Sequence, residues 1–179
     1  MIARFRDFIR QRVLFDLSDD ILLAVSGGID SMVLWRLFEE SEFRYGVIHC
    51  NFQLRGEESM LDEQLVREQA AIRGVRLFVR RFDTLEYAEA RGISVEMAAR
   101  ELRYEWFEEI RSRNGFRYIA TAHHQDDLLE TFFINLVRKT GIRGLTGFRE
   151  KSGTLIRPLL CTGRKEIEAF SVSMDIFFR

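Results

Sequence analysis

Cysteine is scarce in this 179-residue sequence: Cys50 and Cys161 stand far apart and form no CxxC pair. That excludes a disulfide framework and any zinc or cluster site built on paired thiols. Two buried thiols in a reducing compartment are the plain reading. An excess of one charge sign is also missing. The formal net charge is −1, which by itself gives no reason to expect nucleic acid. Long apolar runs are absent too. The opening MIARFRDFIRQRVLF carries charges throughout, so it is neither a signal peptide nor a spanning helix. The expected location is the cytoplasm, with no membrane partner. Proline occurs once, at Pro158, and no internal repeat or low-complexity linker is visible. No GxxxxGK[ST] string occurs, so there is no Walker loop.

What remains is ordinary globular material. The hydrophobic fraction, 46%, supports a real core, and the length fits one domain or one domain plus the start of another. Ile2, Phe5, Phe8, Ile9 and Val13 fall at helical spacing. ILLAV (Ile21–Val25), YGVIHC (Tyr45–Cys50), RLFVRRF (Arg76–Phe82) and RYIATA (Arg117–Ala122) have the look of strands, and LIRPLL can hold a last short one. Helices are predicted after SGGIDS, over 60–73, over 94–113, after HHQDD to about Lys139, and over 164–171. The long helix carries Val95, Ala98, Ala99, Leu102, Trp106 and Ile110 as one stripe, with Ser94 to cap it and Asn114-Gly115 to end it. Alternating strands and helices predict an α/β fold, a parallel twisted sheet with helices on both faces. Ligands in such sheets sit beyond the carboxyl ends of the strands. SGGIDS, HCNFQLRG and TAHHQDD each follow a strand and would meet on that edge.

SGGIDS (Ser26–Ser31) lies between an apolar strand and a helix. Gly27 and Gly28 permit a tight turn and close approach to a ligand. The helix start directs free N–H groups and the positive end of its dipole into the loop. Ser26 and Ser31 add hydroxyls. The result is an anion cradle suited to phosphate or pyrophosphate. From Arg138 to Lys165 eight basic residues face one acidic residue, Glu150, which suggests a surface turned toward phosphates.

SGGIDS resembles the pyrophosphate loop of the N-type ATP pyrophosphatases, which adenylate their substrates. The strings HCNFQLRGEESMLDE, SVEMAARELRYEWF, IATAHHQDDLLETFFINLVRKTGIRGLTG and IRPLLCTGRKEI resemble, in that order, the tRNA(Ile)-lysidine synthetases. The resemblance runs from about Leu22 to Ile167 and implies a Rossmann-like domain of the adenine nucleotide α hydrolase type. It implies an enzyme that activates carbon 2 of the wobble cytidine with ATP and lets the amino group of free lysine displace AMP. The cofactors implied are ATP and Mg²⁺. The partners implied are tRNA(Ile) with a CAU anticodon and free lysine, with a homodimer left open. The chain is then the N-terminal pyrophosphatase domain, 1–179. The resemblance is expected to fail after about Ala169, and the C-terminal tRNA-binding domains of the family are not in this sequence.

The resemblance also assigns roles. Ser26, Gly27, Gly28, Ile29, Asp30 and Ser31 would cradle the phosphates. Asp30 and Asp127 are the candidate metal ligands; Asp126 could replace Asp127. Oxygen ligands suit Mg²⁺, which takes one or two carboxylates plus phosphate oxygens and water. His123 and His124 are adjacent and lack a third nitrogen or sulfur ligand, which speaks against zinc. They fit polar contact with phosphate or target base, with His124 the catalytic candidate and a structural role open for one of them. His49 and Asn51, at a strand end, are further nucleotide candidates. Arg100 and Arg103 share a helix face, and the family favours Arg103 near the phosphates; a salt bridge to Glu96 or Glu108 is the alternative. Glu130 either binds the lysine substrate or orders the helix start. Arg138, Lys139, Arg143 and Arg149 would contact tRNA phosphates. The rivals are a 2-thiocytidine synthetase, disfavoured by the missing cysteine pairs, a small-molecule adenylating ligase, and a non-catalytic nucleotide-binding module.

Overall fold

The computed structural model describes residues 1–137 and 149–179, the side chains of 132–137 excepted. It contains a six-stranded sheet in the order β3-β2-β1-β4-β6-β5. The strands are β1 (Ile21–Ala24), β2 (Tyr45–Asn51), β3 (Leu77–Arg81), β4 (Tyr118–Ala120), β5 (Lys151–Ser152) and β6 (Leu155–Ile156). All neighbours are parallel except β5, which pairs antiparallel with β6 at the edge. Ile21 of β1 is in register with Tyr45 on one side and Tyr118 on the other. The chain order therefore runs one way from β1 through β2 to β3 and reverses to β4 across β1. That reversal opens a crevice at the carboxyl ends of β1 and β4.

The helices are α1 (Ile2–Gln11), α2 (Ile29–Glu40), α3 (Glu57–Arg73), α4 (Thr84–Arg91), α5 (Val95–Arg113), α6 (Gln125–Val137) and α7 (Arg164–Ser173), with a 3-10 turn at Pro158–Cys161 before α7. Side chains alternate across β1. Ile21 and Leu23 join a core with Phe5 and Ile9 of α1, Trp35 and Phe38 of α2, and Ile167 and Phe170 of α7. Leu22 points the other way, into a second core with Ile48, Phe82, Trp106, Phe107 and Phe116. Helices thus cover both faces, as the alternation of apolar strands and amphipathic helices requires.

Ser94 caps α5 by accepting from the Met97 amide at 3.2 Å, and Asn114 ends the helix, both as predicted. Two local expectations are corrected. Val13 does not extend the stripe of α1. The helix stops at Gln11, Val13 takes a positive φ of 48° and is 68% exposed, and Leu14 and Phe15 turn into the core instead. Helix α4 was not predicted, although its signals are local. Asp83 caps it by accepting from the Glu86 amide, and Gly92 closes it at φ 62°. Helix α3 begins three residues before the predicted start, with Glu57 and Glu58 at the positive end of its dipole.

Candidate functional site

A cleft of about 290 Å³ opens at the sheet edge between the ends of β1, β2 and β4 and one side of α5. Its polar side is the turn after β1. Gly27 sits at φ +96°, a backbone that disfavours any side chain, although a β-carbon there would meet Asp62 only at an ordinary contact distance of 3.5 Å. The Ser31 hydroxyl ties the loop together. It accepts from the amides of Ser26 and Gly27 and donates to the Gly28 carbonyl at 2.8 Å. Ser26 lies with its hydroxyl 3.1 Å from that of Ser31. Gly28 is the N-cap of α2 and supplies no side-chain cap. The first amides of the helix, starting at Ile29 and Asp30, have no intrahelical acceptors, and Gly28 and Asp30 line the cleft. A loop whose own hydroxyls are spent on its shape, with uncapped amides at its helix end, can hold an oxyanion.

The segment after β4 brings the second set of groups. His123 and Asp127 line the cleft with Asp30. The His123 Nδ1 lies 2.9 Å from the Thr121 hydroxyl. Burial pushes its pKa below the ordinary value, and the positive charge of Arg157 pushes the same way. His124 does not line the cleft. It is 6% exposed and lies beneath the carboxylates, with Nε2 3.7 Å from both Asp30 and Asp127. Its backbone amide donates to Asp127 at 2.8 Å, fixing that carboxylate. Asp126 is turned aside to cap α7, accepting from the Arg164 amide at 2.7 Å. Asp127 thus lines the same cleft as Asp30, whereas Asp126 serves a helix end.

Opposite them stands a largely apolar wall of Ile48, Cys50, Phe52, Tyr104 and Phe107. Burial pushes the Cys50 thiol up to about 12, so it stays protonated and acts as a small apolar contact. Arg103 lines the cleft with its guanidinium over the Phe52 ring, 5.0 Å from the centroid. Neither Glu96 nor Glu108 bridges it among the described residues; Glu108 is taken by Arg111.

Several candidates lie elsewhere. Arg100 stacks on Tyr104 at 5.0 Å and lines a separate depression with Glu108 and Thr154. His49 is 2% exposed under the loop, with Nδ1 2.8 Å from the Val25 carbonyl, and burial lowers its pKa. Asn51 is also 2% exposed; its amide donates to Glu63 at 2.8 Å and to the Ser59 carbonyl, and its oxygen accepts from Gln53. Both shape the floor of the site rather than its lining. Glu130 is exposed on α6, one turn beyond Asp127. Arg149 borders a different groove, beside Arg12 and Leu129. Arg138, Lys139 and Arg143 lie outside the described residues.

One contact at Asp30 was not foreseen. Arg164 reaches Asp30 with Nη1 3.0 Å from both carboxylate oxygens. The sequence offers Arg164 only as one member of a basic segment.

The PP-loop domain model matches residues 2–179. The chain belongs to the PP-loop domain family. A PP-loop domain binds ATP. The chain is 49% identical over 160 residues to a tRNA(Ile)-lysidine synthase of Bacteroides thetaiotaomicron, covering 89% of this chain and 38% of that protein. It is 46% identical over 178 residues to one of Porphyromonas gingivalis, covering 98% and 39%. For Chlorobaculum tepidum the figures are 43% over 180 residues, 98% and 54%. The chain thus spans between 38% and 54% of the length of these curated relatives. Coverage of 98% carries the likeness past Ala169, where it was expected to fail. Among solved structures, the U34-tRNA thiolase NcsA of Methanococcus maripaludis superposes with a TM-score of 0.79 at 15% identity, covering 99% of this chain and 64% of that one. The NH3-dependent NAD synthetase of Campylobacter jejuni gives 0.65 at 14%, covering 98% and 72%. At such identities these two show a shared fold alone. No helix among the described residues is long and apolar enough to cross a membrane.

Proposed function

We propose that this PP-loop domain carries the ATP-dependent step that joins lysine to the wobble cytidine of tRNA(Ile). The observation that carries the proposal is the convergence of Asp30 and Asp127 on one cleft beside an uncapped helix end. Identities of 43–49% to lysidine synthases supply the substrates. In this reading the cytidine O2 bonds to the α-phosphorus of ATP and pyrophosphate leaves. The lysine amine then bonds to carbon 2, and AMP departs with the oxygen. The first amides of α2, at Ile29 and Asp30, hold the pyrophosphate portion, and the apolar wall with Phe107 and Ile48 receives the adenine. Arg103 faces the reacting phosphate. His124, held among carboxylates, is a positioning group for Asp30 and Asp127. Glu130 on α6 is the candidate for the incoming lysine, and Arg149, with Arg138, Lys139 and Arg143, for tRNA phosphates.

The residues fit Mg²⁺. Asp30 and Asp127 offer hard carboxylate oxygens at the mouth of an anion cradle. Among the described residues no group of three His, Cys, Asp or Glu is placed to hold a metal by itself. Two carboxylates are what a Mg²⁺ ion shared with phosphate and water asks of a protein. When bound, the ion would screen the triphosphate and stabilise the leaving pyrophosphate.

The test is pyrophosphate release from ATP with tRNA(Ile) and lysine supplied singly and together. AMP and lysidine formed only with both support the reading. ATP binding without turnover under all conditions leaves a nucleotide-binding module and refutes it for this chain.

A further inference from the structure

A single nitrogen, Nη1 of Arg164, lies 3.0 Å from Oδ1 and 3.0 Å from Oδ2 of Asp30. It therefore lies midway between the two oxygens, against the carboxylate that a bound dication would need. A Mg²⁺ ion stands about 2.1 Å from its oxygen ligands. Ion and guanidinium therefore compete for Asp30, in charge and in space.

The arginine is also built to move without being lost. Its side chain is 43% exposed. Its Nε is tied to Glu168 on the next turn of α7 at 2.8 Å. Its backbone is fixed, because the Arg164 amide is capped by Asp126. The residue before it sits close to the same carboxylate: a β-carbon at Gly163 would lie 3.1 Å from Asp126, which would have to give by a few tenths of an ångström. Helix α7 is thus anchored to the segment after β4 while its first side chain crosses to the loop after β1.

We propose that Arg164 is the internal counter-ion of the dication position, holding Asp30 in the free protein and exchanging it for the polyphosphate when metal and nucleotide arrive. This rests on the reading that Asp30 is a metal ligand. Before metal binds, the guanidinium neutralises Asp30 and keeps its carboxylate oriented. Once displaced, it swings within the reach set by Glu168 and pairs with phosphate oxygens, for which its fork is well shaped. Bare metal must therefore evict a cation, whereas metal arriving with nucleotide gives that cation a new partner.

The experiment titrates Mn²⁺ into the protein without nucleotide and follows the free ion by EPR. Near-UV circular dichroism confirms the fold of each variant. Removing an ion pair of this exposure from the competition should make Arg164→Gln bind bare Mn²⁺ roughly fivefold more tightly. The same variant should bind Mg²⁺ with α,β-methylene-ATP more weakly, by a similar factor. Unchanged or weaker Mn²⁺ binding by Arg164→Gln overturns the proposal while Asp30→Asn still loses the ion. Full Mn²⁺ affinity in Asp30→Asn overturns the metal assignment and the proposal together. On the unmodified protein, the Arg164 Nε–H resonance should shift when Mg²⁺ is added without nucleotide. A resonance that does not respond overturns the proposal even where the variants fail to fold.

Discussion

Replacing Glu63 by glutamine tests whether a buried carboxylate, remote from any ligand, sets the floor of the site. Glu63 is 1% exposed on α3. It accepts from Asn51 at 2.8 Å, from Arg81 at 2.8 and 3.1 Å, and from Arg67 at 2.9 Å. Burial alone would raise its pKa, but the donated hydrogen bonds of Arg81, Asn51 and Arg67 outweigh it and pull it down from 4.5 to about 2. A shift of that size corresponds to about 3.4 kcal/mol of preference for the ionised form. Arg67 and Arg81 are 55% and 51% exposed, so solvent screens much of this. A discounted value of about 1.5–2 kcal/mol is the working figure.

The sign follows from linkage. The folded state holds Glu63 ionised at a lower pH than the unfolded chain does, so the stabilisation is complete above the unfolded value of 4.5 and is lost as pH falls toward about 2. Glutamine cannot titrate. Urea unfolding at pH 7 should therefore show Glu63→Gln less stable by about 1.5–2 kcal/mol, with the gap closing between pH 4.5 and the folded value. Because Asn51 carries the turn into Phe52, which supports Arg103, the variant should also bind ATP more weakly. A gap that keeps its full size at pH 3, or none at pH 7, would refute the argument.

Asp30→Ala is expected to lower pyrophosphate release by at least about a hundredfold while leaving circular dichroism unchanged, since it removes a dication ligand; retained turnover would count against the metal assignment. Gly27→Ala should cost about 1–2 kcal/mol in thermal unfolding and weaken ATP binding, because its φ of +96° strains any side chain. Burial lowers the His49 pKa, so stability is present above about pH 6.5 and falls as pH drops toward the folded value. A His49→Gln variant should lose that part of the acid slope in urea melts. Arg143→Ala should weaken tRNA binding and reduce its salt slope by about one, measured by filter binding across an ionic-strength series.

How much was legible depended on whether the cause was local. The turn after β1 was readable because glycine, serine and a following helix act within six residues. Strand order gave the meeting of SGGIDS with HHQDD, since parallel strands send their carboxyl ends to one edge. Helix α5 announced itself through its stripe and its cap. The orientation of His49 and Asn51 was not readable. Both follow the pleat of β2, and whether an end residue faces cleft or floor depends on the last half-turn of twist. The choice between Asp126 and Asp127 depended on α7 arriving from 38 residues away to need a cap. The contact of Arg164 with Asp30 spans 134 residues. No periodicity or turn signal encodes it, because it arises only once the 3-10 turn at Pro158–Cys161 has aimed α7 at the loop.

The near-neutral charge of the chain acquires a meaning from these contacts. Arg103, which lines the cleft, and Arg164, which reaches Asp30 beside it, are both already engaged, the first on the face of Phe52 and the second on the carboxylate. A protein that displayed them free would attract any polyanion, and one that displayed Asp30 free would attract any dication. Here either ligand alone must break an internal contact before gaining an external one. On the proposed exchange, the arrival of both gives Asp30 to the metal and the released arginine to the polyphosphate, so the second gain offsets the first loss. Affinity for ATP and for Mg²⁺ should therefore be coupled beyond the association of the two in solution, with Arg164 as the link. Coupling is reciprocal for binding, so the factor by which nucleotide tightens metal must equal the factor by which metal tightens nucleotide, and both should shrink together when Arg164 is replaced.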